Sequence, residues 1–538
     1  MLSGSEHSEI LAIAKCGNFG QHSSNAHRDM LSLYCKELRI AEPHMVEVPV
    51  KDPKTQKAGT EYVPILLPHL VFSTLSHNYE DVFEEMFAIP QCAAFWKNTE
   101  KLKDPRLIPP LTLTKGKVDK PEKTVPIFIH GDGCEYQSRD TLMTWSWGSL
   151  LSMHASLSSH LLLTAVPKAC TIPGTWPALD EWICWSFAAL TKGMHPEVDP
   201  WNGPLPKGPM AELAGQPLTK GLHRGAIFSI QGDQEFISNA LKMPHWVNKH
   251  PCAECDCQRP VYKKELAPPG KSTKILKSEE QTYHFKTVEE SVLDKKTDHP
   301  LFSLDGITPL HVRGDSLHIL FSRGVANHLS GSLIHYVIYF DWPRRQKISA
   351  NNRLQTLFAR IKELYSEASV SARLTHLRLS MICDATKPFK GYPCLEAKAA
   401  ETKHFLPCLE SVLNEILDPA EDPIHITMKE AIHALNQAVR HYDNMDAFLT
   451  ATEYATGQNF VKRFFDAYQD LNSWALAKGR KLFHITHKFH SALHLFKNTK
   501  FLNYRMHHNS ELKIMWEGYP SWPTAAPLEL NRAGCQLN

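Results

Sequence analysis

No run of about 18 or more apolar residues occurs in the 538 residues of the chain, so no membrane-crossing helix and no membrane partner are expected. The first residues, Met1 to Cys16, lack the apolar core of a secretory leader. The 13 unevenly spaced cysteines are therefore expected as thiols or metal ligands in a reducing compartment, not as a disulfide framework. Charge of one sign is also missing. The 59 Lys and Arg against 57 Asp and Glu leave a formal charge of +2, so any nucleic-acid surface has to be local. There is no second CxxC at a zinc-finger distance, no HExxH and no convincing internal repeat. Those absences disfavour a self-contained zinc finger, a zinc-protease helix and a solenoid.

What is present belongs to a globular protein. Hydrophobic residues make up 43% and charged residues 22%, and the length calls for about two to four domains. Residues 1–120 read as a separate, mostly helical N-terminal region, from the helical spacing in Asp29 to Leu38 and Asn78 to Phe87. Between those segments VPVKDPKTQKAGTEYVPILLP is extended or looped. A Pro-rich linker ends near Pro126. Residues 121–240 hold the first part of an α/β core, 241–480 a helical insertion, and 481–538 a histidine-rich helix with a divergent C-terminal remnant.

The pattern changes at Val125. Val125 to Ile129 (in VPIFIHGDG), Thr141 to Leu151 and Ser159 to Val166 are strand-like. Ala178 to Leu190 carries Leu179, Trp182, Ile183, Phe187 and Leu190 on one helical face, and Ala226 to Ile230 is a fourth strand. Three strands, a helix and a fourth strand are the order of a ribonuclease-H-like core, with the first and fourth strands side by side. The expected fold class is thus α/β plus α, a ribonuclease-H-like mixed sheet interrupted by a large helical insertion. Asp132 and Asp233 end the first and fourth strands in this reading, where α/β folds place their chemistry. Two carboxylates sharing Mg²⁺ or Mn²⁺ can activate a water or a 3′-hydroxyl against a phosphodiester. Two turn aspartates after strands would look the same in sequence.

Three further groups carry chemistry. HPCAECDC places Cys252 and Cys255 at zinc-knuckle spacing, with Cys257 nearby, which is half of a structural Zn²⁺ site. His318, three residues after Asp315, is the best-placed candidate to complete it, with Asp315 orienting the ring; unpaired thiols are the plain alternative. FHITHKFHSALH aligns His484, His487, His490 and His494 along one helical face, which suits a polar face near a site or a metal. Arg344, Arg345 and Lys347, and Lys478, Arg480 and Lys481, are small basic clusters that could touch phosphate or serve as a nuclear-import signal.

The joint order of HGDG, GDQEF…LKMPHW…HPCAEC and HPLFSLDGIT…GDSLHILFSRGVANHLSGS resembles transposon-encoded proteins related to the CACTA-type eukaryotic DDE transposases. The likeness continues through KCGNFGQHSSNAHRDMLSLY, Tyr392 to Leu409 and Lys488 to Leu495, and so spans most of the chain. The resemblance implies that Asp132 and Asp233 are the first two catalytic aspartates. It matches Cys252 and Cys255 to the family's CxxC, and Asp315 and His318 to its DxxH. A third carboxylate should follow the insertion, but here MHHNSELKIMWEGYP offers only Glu511 and Glu517. Glu511 is the better candidate, and prolines 520, 523 and 527 would interrupt a closing helix. The implied activity is metal-dependent hydrolysis of a DNA phosphodiester followed by strand transfer, in the nucleus, with DNA as partner and self-association admitted. The other expectations are a non-catalytic DNA- or protein-binding descendant and a zinc-dependent hydrolase using the histidines.

Overall fold

In a computed structural model of the chain, the described residues run from 39 to 503, with Lys15. Left aside are 256–297 and short pieces at 108–112, 115–116, 138–139, 153–158, 343–347, 368–369 and 371, together with 246, 249, 250 and 253. Asp29 to Leu38, Cys257, Arg344, Arg345, Lys347, Glu511 and Glu517 therefore lie outside the described residues, as does nearly all of the lysine-rich stretch 263–300.

The segment first read as extended or looped is a β-hairpin, β1 (His44–Lys51) with β2 (Ala58–Ile65), paired antiparallel from His44↔Ile65 to Lys51↔Ala58. Every second residue of β1, Val46, Val48 and Val50, is buried, the period-2 signature of a strand with one face on a core. Three helices follow, α1 (Pro68–Asn78), α2 (Glu80–Phe87) and α3 (Cys92–Lys101). The described part of the N-terminal region is thus a hairpin plus helices.

The central sheet holds β3 (Thr124–Gln137), β4 (Asp140–Ser149), β5 (Leu161–Pro167), β6 (Arg224–Gly232) and β7 (Val312–Gly314). Its spatial order is β5-β4-β3-β6-β7. β4 is antiparallel to β3 and β5, while β6 runs parallel to β3 and β7 parallel to β6. All residues of β6 after Arg224 are buried, as expected of a parallel strand covered on both faces. On one face α4 (Thr175–Lys192) sets Leu190 beside Gly225 and Phe187 edge-on to Trp147. On the other, Phe95 and Trp96 of α3 meet Phe228 edge-on. Val46 to Trp96 share this buried core with Val125 to Met243. The expected boundary near residue 120 therefore does not separate two cores.

The helical part begins right after β7. It comprises α5 (Ser316–Leu320), α6 (Val325–Tyr336), α7 (Ala350–Glu367), α8 (Ala399–Ile416), α9 (Ile424–Asn444), α10 (Ala451–Ala477) and α11 (His487–Asn498). Its core runs from Ile319 to Phe496 and includes Phe483, Phe489 and Leu495. Two expectations are corrected here. The fifth strand lies inside the stretch 241–480 taken as insertion, because three residues are too short to give a periodic signal. The histidine helix, expected in a segment 481–538 apart from the insertion, packs its apolar face into the helical core. No helix among the described residues is long and apolar enough to cross a membrane.

Candidate metal centres

Three adjacent parallel strands carry the same dipeptide at the same level. Gly131 pairs with Gly232, and Gly232 with Gly314. Each glycine is followed by an aspartate: Asp132, Asp233 and Asp315. Alignment across a sheet brings residues of one row onto one side. The glycines have a steric role as well. A Cβ on Gly131 would meet the Phe236 ring at 1.9 Å, and one on Gly232 would meet it at 2.3 Å. Phe236 therefore packs directly over the two glycines and stands edge-on to Trp145.

Asp132 was expected just past the end of its strand and is instead inside it. Pairing with β4 carries β3 on to Gln137, with Asp132 opposite Thr144. Its carboxylate accepts from the Gly133 N–H at 2.7 Å. Asp233 does follow its strand, and its carboxylate accepts from the Phe236 N–H at 2.7 Å. Asp315 caps α5 by accepting from the Leu317 N–H at 2.8 Å, and its other oxygen meets His318 Nδ1 at 2.5 Å. Asp132, Asp233 and His318 each bring a potential ligand atom within 4.8 Å of the others. Because Asp315 occupies Nδ1, the ring has Nε2 to offer.

Electrostatics at this centre follow from crowding. Burial raises the Asp132 carboxyl above its ordinary range, and the nearby Asp233 and Asp315 add to the rise, against His318 and the Gly133 N–H. His318 is also raised. Burial opposes its charge, but the Asp315 hydrogen bond and the charges of Asp315, Asp132 and Asp233 outweigh it. Lys488 of α11 reaches in from the helical part, donating from Nζ to the His318 carbonyl at 2.9 Å and to the Ser322 carbonyl. Burial lowers its pKa, against the pull of Cys394, Asp233 and Asp315.

His318 was expected to join the cysteines. It joins the aspartates instead, because the short α5 follows β7 directly and starts in the Gly–Asp row. The cysteines gather a different pair of histidines. Cys252 Sγ lies 3.4 Å from His494 Nε2, and Cys255 Sγ lies 3.4 Å from His490 Nε2. The two Nε2 atoms are 3.1 Å apart, and all four atoms fall within 4.8 Å. Asp315 belongs to the first centre, so of the expected zinc set only Cys252 and Cys255 stay together. Glu254, between the cysteines, has its carboxylate 3.1 Å from Arg313 Nη1, 2.7 Å from Asn498 Nδ2 and 3.6 Å from His494 Nδ1. His490 is moved to about 8 and His494 to about 9; burial works against this, and Cys252 with Cys255 beside His490, and Cys252 with Glu254 beside His494, outweigh it.

The other two histidines of that motif do separate work. His484 precedes α11 and stacks on Tyr392 with ring centroids 4.3 Å apart. His487 is pushed down to about 4, chiefly by burial. The basic cluster near residue 480 is engaged within the fold. The Arg480 guanidinium lies 4.1 Å from the Phe340 ring centroid, and Lys481 Nζ donates to the Lys390 carbonyl at 2.7 Å. The sequence signal for the Gly–Asp row was its repetition: the dipeptide recurs at 131, 232 and 314, each time at the end of an apolar segment or short strand. The signal for the second histidine pair was the i, i+4 spacing of His490 and His494, which puts both rings on one face of α11.

Comparison with known proteins returned no matching family model, no matching curated protein and no matching solved structure.

Proposed function

We propose that the chain is a transposase-like protein with a ribonuclease-H-like core, and that Asp132, Asp233 and His318 hold a divalent cation against a DNA phosphodiester. The observation that carries this reading is the convergence of Asp132 and Asp233, on adjacent parallel strands, with His318 at one point. The strand order, with only the second strand of the sheet reversed, supports it. So does the position of the first aspartate within the central strand and of the second just after its neighbour.

The donor set fits a single hard or borderline cation. Two carboxylate oxygens suit Mg²⁺ or Mn²⁺, and the imidazole tilts the preference toward Mn²⁺. Such a cation supplies charge stabilisation at the phosphoryl oxygens and lowers the pKa of a bound water. The residues do the rest. Asp132 and Asp233 present oxygens from a backbone held in register on both sides, so their geometry is set before any ligand arrives. Asp315 fixes the tautomer and plane of His318 through Nδ1, and Lys488 pins the carbonyl of the same residue. Glu511 is the carboxylate that the resemblance to CACTA-type transposases would add.

A second reading, a catalytically inactive descendant that binds DNA or protein, is favoured by the same donor set. Two carboxylates and a neutral imidazole balance less charge than three carboxylates, and a second cation is correspondingly harder to hold. The discriminating assay is Mn²⁺-dependent nicking of supercoiled DNA alongside DNA binding. Nicking by the full chain, lost in Asp132→Ala and Asp233→Ala variants with unchanged circular dichroism, supports the first reading. Binding without nicking supports the second. Neither binding nor nicking would remove DNA from the proposal.

A further inference from the structure

We propose that Cys252, Cys255, His490 and His494 form a tetrahedral zinc site that fastens the last helix of the helical part to the edge of the sheet. The distances are those of a coordination shell. Zn–S bonds of about 2.3 Å and Zn–N bonds of about 2.0–2.1 Å at tetrahedral angles separate S and N by about 3.5 Å and the two nitrogens by about 3.3 Å. The corresponding separations here are 3.4, 3.4 and 3.1 Å. Both cysteines are free thiols, and the pair comes from one CxxC segment while the histidines come from successive turns of α11. Cys255, His490 and His494 are buried, so the four donors meet in the interior and not on a solvated surface.

The surroundings complete the site. Glu254 stands behind His494 and at the same time contacts Arg313 of β7 and Asn498 at the end of α11. A carboxylate behind a ligating histidine orients the ring and raises its basicity. The residues joined are 242 apart in the chain, so the metal would close a very long loop and restrict the unfolded ensemble accordingly. It would also fix α11 as a whole. Lys488, two residues before His490, then holds the His318 carbonyl of α5 and so sets the placement of His318. The zinc is a structural joint, and its presence does not depend on DNA cleavage.

The test is metal analysis of the full chain purified without added chelator. One zinc per chain is expected, and X-ray absorption at the zinc edge should read two sulfur and two nitrogen neighbours. A folded chain without zinc, or zinc with only nitrogen and oxygen neighbours, would overturn the proposal. Cys255→Ser should lose the metal and lower the melting temperature, while His494→Cys, which keeps four soft or borderline ligands, should retain it. Asp132→Ala should leave zinc content unchanged. Absence of nicking by the full chain with zinc in place counts against the nuclease reading alone, and absence of zinc from a chain that nicks counts against the joint alone. Unchanged zinc content in a Cys255→Ser, His490→Ala double variant would place the metal elsewhere and end the proposal.

Discussion

Both clusters of potential ligands border helix α11, the first through Lys488 and the second through His490 and His494, yet they are built by different means. The Asp132–Asp233–His318 centre is written into backbone register: three Gly–Asp dipeptides aligned on adjacent parallel strands, with Asp315 turning the chain into α5. The cysteine–histidine centre is written into tertiary packing, since a loop after β6 has to meet a helix 235 and 242 residues later. The first kind of site survives small shifts between the two parts of the molecule. The second kind exists only if they dock. The difference also separates roles: hard oxygen donors beside strand ends suit exchangeable chemistry, and buried thiolates with imidazoles suit a permanent joint.

The largest expected effect breaks the first centre alone. Asp132→Ala or Asp233→Ala should reduce Mn²⁺-dependent nicking by about 10³-fold or more, since a cation contributes several kcal/mol to the transition state. Zinc content should stay at the wild-type level. If zinc were lost as well, the two centres would be one coupled unit and the comparison would fail.

A smaller effect tests whether register and steric fit build the first centre. Gly131→Ala places a methyl group 1.9 Å from a carbon of the Phe236 ring. Overpacking of this kind costs about 1–3 kcal/mol, read as a lower urea midpoint. Phe236→Ala combined with Gly131→Ala should cost less than the sum of the single changes, because the clash is relieved. Additive costs would show that the ring is not what excludes a side chain.

A finer probe separates two tasks of one residue. Asp315→Asn keeps a good helix cap, so stability should change by less than about 0.5 kcal/mol, whereas Asp315→Ala should cost about 1 kcal/mol. Both should weaken Mn²⁺ binding by about 10- to 100-fold, because His318 loses the carboxylate that orients it. Isothermal titration with Mn²⁺ and urea unfolding on the same samples give the two numbers. Weak metal binding in the Ala variant alone would reduce Asp315 to a cap.

What the sequence made legible follows from signal length. The strands at Val125, Thr141, Ser159 and Ala226 and the helix at Ala178 are long enough for period 2 or 3.6 to declare itself, and all five form. The first and fourth strands do lie side by side. β7 was invisible, because Val312–Gly314 is three residues long and its strand character comes from pairing with β6. The β1–β2 hairpin was masked by Pro49 and Pro64, which a two-stranded ribbon tolerates because each strand pairs on one side only within it. At the site, Asp132 and Asp233 were readable from their Gly–Asp contexts. The partner of the CxxC was not, because His318 and the pair His490 and His494 are equally plausible until the docking of α11 is known.

The smallest expected effect concerns how α11 is held from behind, and it turns on pH. His328 of α6 is half-buried, with its ring centroid 5.7 Å from that of His484 and 6.3 Å from that of Phe489. Burial, with the nearby His484, Lys488 and His487 adding, pushes it from 6.5 down to about 3. A depressed histidine pKa means that the unfolded chain takes up the proton first. The stability it confers is full above pH 6.5 and falls as pH drops from there toward about 3. The slope from one such group is about 1.4 kcal/mol per pH unit within that window. His328→Gln should therefore be less stable at pH 7.5 but lose about 1.4 kcal/mol less of its urea-unfolding free energy on acidification to pH 5.5. His318 carries the opposite sign: its pKa is raised, so its contribution is present below its unfolded value and is lost as pH rises through the folded one. The histidine that packs the helix and the histidine that faces the aspartates should thus pull the pH profile in opposite directions. An unchanged slope in His328→Gln would mean that α6 does not hold α11 through this ring, and the docking that builds the second centre would rest on the Cys–His cluster and Lys488.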